Sequence, residues 1–213
     1  KLRLSRDLSL ATKGKQINLD VVQTDLLYTM AEPSNIEKTT VIHGPEGSGK
    51  TILAVEILKM KVIHYLRKHA SMKTENSGNK DNKKMIKVIL CGSHHGEDKV
   101  PALLKQLFEE TKDIKDFCTI QLKPLANLLM RTPKEFMKDL TKSLDLEKED
   151  SCAHTIVMMD ELFPKFATDQ WKLFKGCPKT DFVFALRHAF NDGACLGVFK
   201  KWNSKKIKYQ AIM

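Results

Sequence analysis

The stretch VIHGPEGSGKTILAVEIL, Val41 to Leu58, decides how the rest of the chain is read. It passes from an apolar tip through a glycine-rich loop to Lys50 and Thr51, then into an aliphatic run. Gly44-Pro45-Glu46-Gly47-Ser48-Gly49-Lys50-Thr51 fits G-x-x-x-x-G-K-[ST] at every fixed position. Glycines permit backbone angles closed to other residues, so successive N–H groups can turn inward onto phosphate oxygens. The start of the following helix adds positive potential at the same place. On this reading Lys50 reaches the β- and γ-phosphates of a nucleotide, and the Thr51 hydroxyl ligates magnesium. The segment from Ile52 to Leu58 is apolar nearly all round, broken only by Glu56, which predicts a buried helix.

A second chemical element lies far downstream in HTIVMMDEL, His154 to Leu162. Four apolar residues deliver Asp160 and Glu161 to the end of a strand. Asp160 is placed to hold magnesium, directly or through water, and Glu161 to orient and deprotonate an attacking water.

The sequence between and around these elements alternates. LDVVQTDLLYTMA (19–31) has apolar residues at helical spacing, Val22, Leu26, Leu27 and Met30. TTVIHG, MIKVILCG, FCTIQL, DFVFALR and the final KKIKYQAIM read as strands. VPALLKQLFEE reads as a helix with Pro101 in its first turn, and 125–140 and DQWKLF as further helical material. EKED (147–150) reads as a charged connector. Strands alternating with helices predict an α/β fold, a parallel sheet with helices on both faces. Residues 1–18 read as a basic lead-in and 19–213 as one domain, with a polar surface insertion at about 69–84.

The bulk composition excludes several classes. With 213 residues, 42% hydrophobic and 29% charged, the chain has an ordinary globular composition. Its aliphatic runs are broken by charge before they reach bilayer length, and the first fifteen residues hold no apolar signal segment. The chain begins at Lys1 and not at a methionine, which reads as part of a longer protein with further domains. The cysteines, Cys91, Cys118, Cys152, Cys177 and Cys195, are odd in number and widely spaced, which favours a reducing intracellular compartment, cytoplasmic or nuclear. CGSHH (91–95) has no second ligand pair to complete a zinc site and reads as a strand end and a polar loop. A net charge of +10 favours polyanions such as nucleic acid, though lysine outnumbers arginine and is the less specific phosphate reader.

The loop and the MMDE strand together resemble the P-loop NTPases, in the branch where a glutamate follows the metal aspartate. The resemblance implies a strand lying between the phosphate-loop strand and the aspartate strand. DFVFALR is the candidate, and its end would bring Arg187, or His188 or Asn191 beyond it, near the γ-phosphate. Over residues 19–213 the chain is similar to the first RecA-like lobe of superfamily 1 (UvrD/Schlafen-like) helicases. That likeness implies ATP and Mg²⁺ as cofactors, Gln23 as the reader of adenine, and single-stranded nucleic acid as partner. His94, His95 and Lys99 would face the strand, with the lysines at 200, 201, 205, 206 and 208 adding phosphate contacts.

The chain also departs from that family. After MMDE the family shows Gly-Asp and then a glutamine at the next strand end, where this chain reads ALRHAFN. No second lobe supplies an arginine finger, so slow hydrolysis is expected of this segment alone. The alternative is a signalling ATPase of the STAND/NACHT type, in which a strand ends in an arginine sensor and ATP acts as an oligomerisation switch. A small-molecule kinase is the weaker third reading, because no arginine-rich lid is visible.

Overall fold

The computed structural model describes residues 10–12, 15–17, 20–45, 47–73, 86–92, 118–124, 132, 134–135, 138, 142, 154–169, 179–186, 193–206 and 209–212. Strands β1 (Leu10–Thr12) and β2 (Lys15–Ile17) form a small antiparallel pair, so the stretch read as a basic lead-in contains a hairpin. Helices α1 (Val21–Met30) and α2 (Pro33–Ile36) lead into β3 (Thr39–Ile42). The long helix α3 (Lys50–Lys73) follows, then β4 (Ile86–Gly92), β5 (Cys118–Pro124) and β6 (His154–Leu162). The chain continues through α4 (Pro164–Ala167), β7 (Thr180–Leu186), α5 (Gly193–Ser204) and β8 (Tyr209–Ile212). Helix α3 runs on through Lys73, into the stretch expected as a surface insertion; 74–85 lie outside the described residues. So do the helix expected at 100–110, most of 125–140, and the EKED connector.

Six strands form one sheet in the order β5-β4-β6-β7-β3-β8, and every neighbouring pair is parallel. A parallel sheet is covered on both faces, so its strands are apolar runs whose successive side chains point to opposite faces. Ile86, Val88 and Leu90 of β4, Ile156 and Met158 of β6, and Val183 and Ala185 of β7 face α1 and α3. Ile89 and Cys91, Val157 and Met159, and Phe182, Phe184 and Leu186 face α4 and α5. The α/β arrangement with helices on both faces is therefore present.

On the α4–α5 face, Trp202 is fully buried against Phe184, and its indole Nε1 donates to the carbonyls of Ala167 and Thr168. The indole buries a large apolar surface and still satisfies its single donor. This fixes α5, a helix the sequence did not announce: GACLGVFKKWNS carries two glycines, and only Val198 and Trp202 among its residues are buried.

At the sheet edge where the strands begin sits a buried polar cluster. Lys61, midway along α3, donates to Asp181 Oδ2 at 2.7 Å and to the carbonyls of Lys38 and Ile36. Tyr65 adds its hydroxyl to the same carboxylate oxygen at 3.2 Å, and the Phe182 N–H donates to Asp181 Oδ1 at 2.9 Å. Burial pushes the Asp181 carboxyl up and the Lys61 ammonium down from their ordinary ranges, while each partner pulls the other back. Burial also pushes the Tyr65 phenol up. The cluster ties α3 to the start of β7 and to the turn before β3.

Candidate active site

Strand β3 ends at Ile42 and α3 begins at Lys50, so the glycine-rich loop joins a strand's C-terminal end to a helix N-terminus. The backbone needs its glycines there. Gly47 and Gly49 have φ of 75° and 78°, values that L side chains rarely adopt. A Cβ at Gly49 would also come within 2.6 Å of Gln23 Nε2.

Lys50 is buried, and its ammonium donates to the loop carbonyls of Pro45 at 2.7 Å and Gly44 at 3.1 Å. The Ser48 hydroxyl also donates to Pro45 O, at 2.8 Å. The lysine thus lies folded over its own loop. Glu46 falls outside the described residues.

Thr51, in the first turn of α3, donates to both carboxylate oxygens of Asp160, each at 3.0 Å. The two residues are 109 positions apart in the chain. Asp160 is 2% exposed and lies level with Gly92 at the end of β4. A hydroxyl and a buried carboxylate meeting in this way offer hard oxygen ligands of mixed charge. That set suits a small divalent cation that keeps several waters. Among the described residues, no group of three or more His, Cys, Asp and Glu side chains gathers as a metal site by itself.

Strand β6 is irregular at this point. Its register with β7 runs Met159 to Phe184 and then Leu162 to Leu186, so β6 holds one more residue than β7 across the interval. This is a bulge, and it spans Asp160 and Glu161. Met159 and Leu162 both lie in the cluster on the α4–α5 face, which strict alternation would forbid for residues three apart. The bulge lets both apolar neighbours stay in the core while the two acids occupy the strand end.

Strand β7 lies between β3 and β6, so the phosphate-loop strand and the aspartate strand are not neighbours. This is the strand order that the sequence resemblance implied. Strand β7 ends at Leu186, and Arg187, His188 and Asn191 lie outside the described residues.

No protein-family model and no curated protein matches this chain.

Gln23 meets the loop from α1. Its Nε2 donates to the Ser48 carbonyl at 3.0 Å, and its Oε1 accepts from the Asp20 N–H at 3.2 Å. Asp20 in turn caps α1, its Oδ1 accepting from the Gln23 N–H at 2.7 Å. A glutamine amide has two donors and two lone pairs. Both amide atoms are thus engaged, Nε2 with the loop and Oε1 with the N-cap of α1.

The lysines expected to add phosphate contacts are described at 200, 201, 205 and 206; Lys208 lies outside the described residues. All six strands of the main sheet are parallel, so α5 starts at the edge where β7 ends and returns to the edge where β8 begins. Lys201, Lys205 and Lys206 therefore sit at the opposite end of the sheet from the glycine-rich loop. They lie about the C-terminus of α5, where positive charge complements the helix dipole. The chain leaves β4 at the loop edge, and His94, His95 and Lys99 beyond it lie outside the described residues.

Proposed function

We propose that this domain binds ATP with Mg²⁺ as a P-loop NTPase of RecA-like architecture. The observation that carries the reading is the contact between Thr51 and Asp160, which joins the end of the glycine-rich loop to the MMDE strand. Supporting it are the position of β7 between β3 and β6, and the bulge that sets Asp160 and Glu161 at the strand end. In this reading Lys50 leaves the Gly44 and Pro45 carbonyls for the β- and γ-phosphates, exchanging neutral acceptors for charged ones. Thr51 and Asp160 would hold magnesium, which when bound neutralises charge on the phosphate oxygens. Glu161 would take the proton from the attacking water. No helix among the described residues is long and apolar enough to cross a membrane.

The first test is Lys50→Ala. Charge-assisted hydrogen bonds contribute roughly 1.5–3 kcal/mol each, so affinity for ATP–Mg²⁺ should fall at least ~10-fold. Titration with a fluorescent ATP analogue, with and without EDTA, measures it. Equal affinity in mutant and parent sinks the assignment.

Within that class the domain is read as the first lobe of a superfamily 1-like helicase, coupling ATP to single-stranded nucleic acid. The rival is a STAND/NACHT-type switch, favoured by one feature: β7 runs through the sheet centre and ends immediately before Arg187. In a longer form of the protein the two diverge. A helicase-like lobe should show ATP turnover stimulated by an oligonucleotide. Its strand affinity should fall with salt, with a log–log slope of about −0.7 per phosphate neutralised. A switch should show neither stimulation nor nucleotide-dependent strand binding, and should change oligomeric state on adding ATP.

A further inference from the structure

We infer that Gln23 is a positioning residue for the phosphate cradle, over and above any reading of the base, and that Asp20 holds it in that role. The inference rests on the nucleotide site proposed above.

The Ser48–Gly49 peptide couples the glutamine to the cradle. No peptide bond among the described residues is cis. In a planar trans peptide the carbonyl and the following N–H point in opposite directions. Gln23 Nε2 holds the Ser48 carbonyl at 3.0 Å toward α1. The Gly49 N–H is thereby turned away from α1. It lies just ahead of Lys50, the first residue of α3, where the leading N–H groups have no intrahelical acceptor. Such N–H groups are the donors with which a loop of this kind grips phosphate. Without the glutamine, this peptide loses that restraint, and glycine on its C-terminal side tolerates φ of either sign. At Gly49, where φ is 78°, the backbone can swing the N–H out of the cradle.

Packing makes the contact specific. The Gln23 amide approaches Gly49 so closely that a Cβ there would meet Nε2 at 2.6 Å. The side chain is itself fixed at its root. The Asp20 carboxylate accepts from the Gln23 N–H, and the Asp20 N–H donates to Gln23 Oε1, so both halves of a capping box converge on this residue. The chain of contacts therefore runs from Asp20 through Gln23 to the Ser48 carbonyl, and through the peptide plane to the Gly49 N–H.

A residue that only reads adenine matters only for adenine. A residue that sets the cradle matters for any ligand with the same phosphates. The probe is therefore inorganic tripolyphosphate with Mg²⁺, compared with ATP and GTP by calorimetric titration. Gln23→Ala should weaken tripolyphosphate and GTP about 3- to 10-fold, as the loss of one hydrogen bond predicts, and ATP at least as much. Gln23→Glu keeps the acceptor for the Asp20 N–H but has no donor for Ser48 and adds a negative charge beside the loop, so with α1 still capped it should lose more than Gln23→Ala. Asp20→Ala should move tripolyphosphate affinity in the same direction, and Asp20→Asn, an equally good cap, should restore it. The thermal midpoint of each variant separates loss of fold from loss of cradle. If Gln23→Ala lowers ATP affinity but leaves tripolyphosphate unchanged, Gln23 reads the base alone and the inference is overturned while the nucleotide site stands. If the parent binds none of the three ligands in a Lys50-dependent way, the nucleotide reading fails and takes this inference with it.

Discussion

Asp181→Ala should cost the fold about 3–5 kcal/mol, because it strands a buried ammonium. Lys61 is fully buried, and Asp181 is its only carboxylate partner among the described residues. Without Asp181, the lysine keeps two carbonyl acceptors, of Ile36 and Lys38, but loses its counter-charge. Tyr65 loses the acceptor of its hydroxyl, and the Phe182 N–H its contact with the carboxylate. Domains of this kind are stable by only about 5–15 kcal/mol in total, so the loss is a large share. Urea unfolding followed by circular dichroism measures it. The double variant Lys61→Met with Asp181→Leu should recover part of the loss, since it removes both charges together. Recovery should be incomplete, because the Ile36 and Lys38 carbonyls then lack the donor they share. A loss below about 1 kcal/mol for Asp181→Ala would mean that water reaches the pair and that burial does not govern it.

Glu161→Gln should leave ATP affinity near that of the parent and lower turnover in the longer protein by ~10²-fold or more, the scale of a lost general base. The two acids of MMDE are thus expected to separate. Asp160 is buried and contacts Thr51, the pair proposed to hold magnesium; Glu161 is the next residue along the bulge, and its proposed role is in the chemical step. Single-turnover hydrolysis of radiolabelled ATP, with binding measured in parallel, gives both numbers. If turnover is unchanged, the proton passes to another group and Glu161 is a strand-end residue only.

The geometry of the glycine-rich loop was legible in the sequence because it is local. The glycine spacing, Lys50 and Thr51 lie within eight consecutive residues, and positive φ at Gly47 and Gly49 follows from their backbone freedom. The core strands were legible for the same reason. VILC, IVMM and FVFAL are runs whose every residue is buried in a sheet covered on both faces, and such runs carry their signal in composition alone. The pairing of Thr51 with Asp160 could be expected from motif chemistry, although the two stand 109 positions apart.

What the sequence could not show depends on which distant groups meet. Lys61 reads as one more lysine in KMKVIHYL, and Asp181 as a polar strand start; only a contact over 120 positions makes them a buried pair. A faint signal exists, since Lys61 lies on the same helix face as the buried Leu58 and Tyr65, where an unpaired charge could not remain. The bulge at Asp160 and Glu161 is equally hidden. Alternation along MMDEL puts Met159 and Leu162 on opposite faces, and only their packing against α4 and α5 shows that both point the same way. Charge alone does not say where a lysine lies: Lys201 of α5, and Lys205 and Lys206 just past it, read only as basic residues. The parallel sheet sends them to the far end, since a helix leaving one strand end must return to the other. Local backbone chemistry is written in adjacent residues, and sequence determines it. Which edge of the sheet a charge occupies, and which buried groups neutralise each other, is decided by strand order and packing, terms that exist only once the chain has closed on itself.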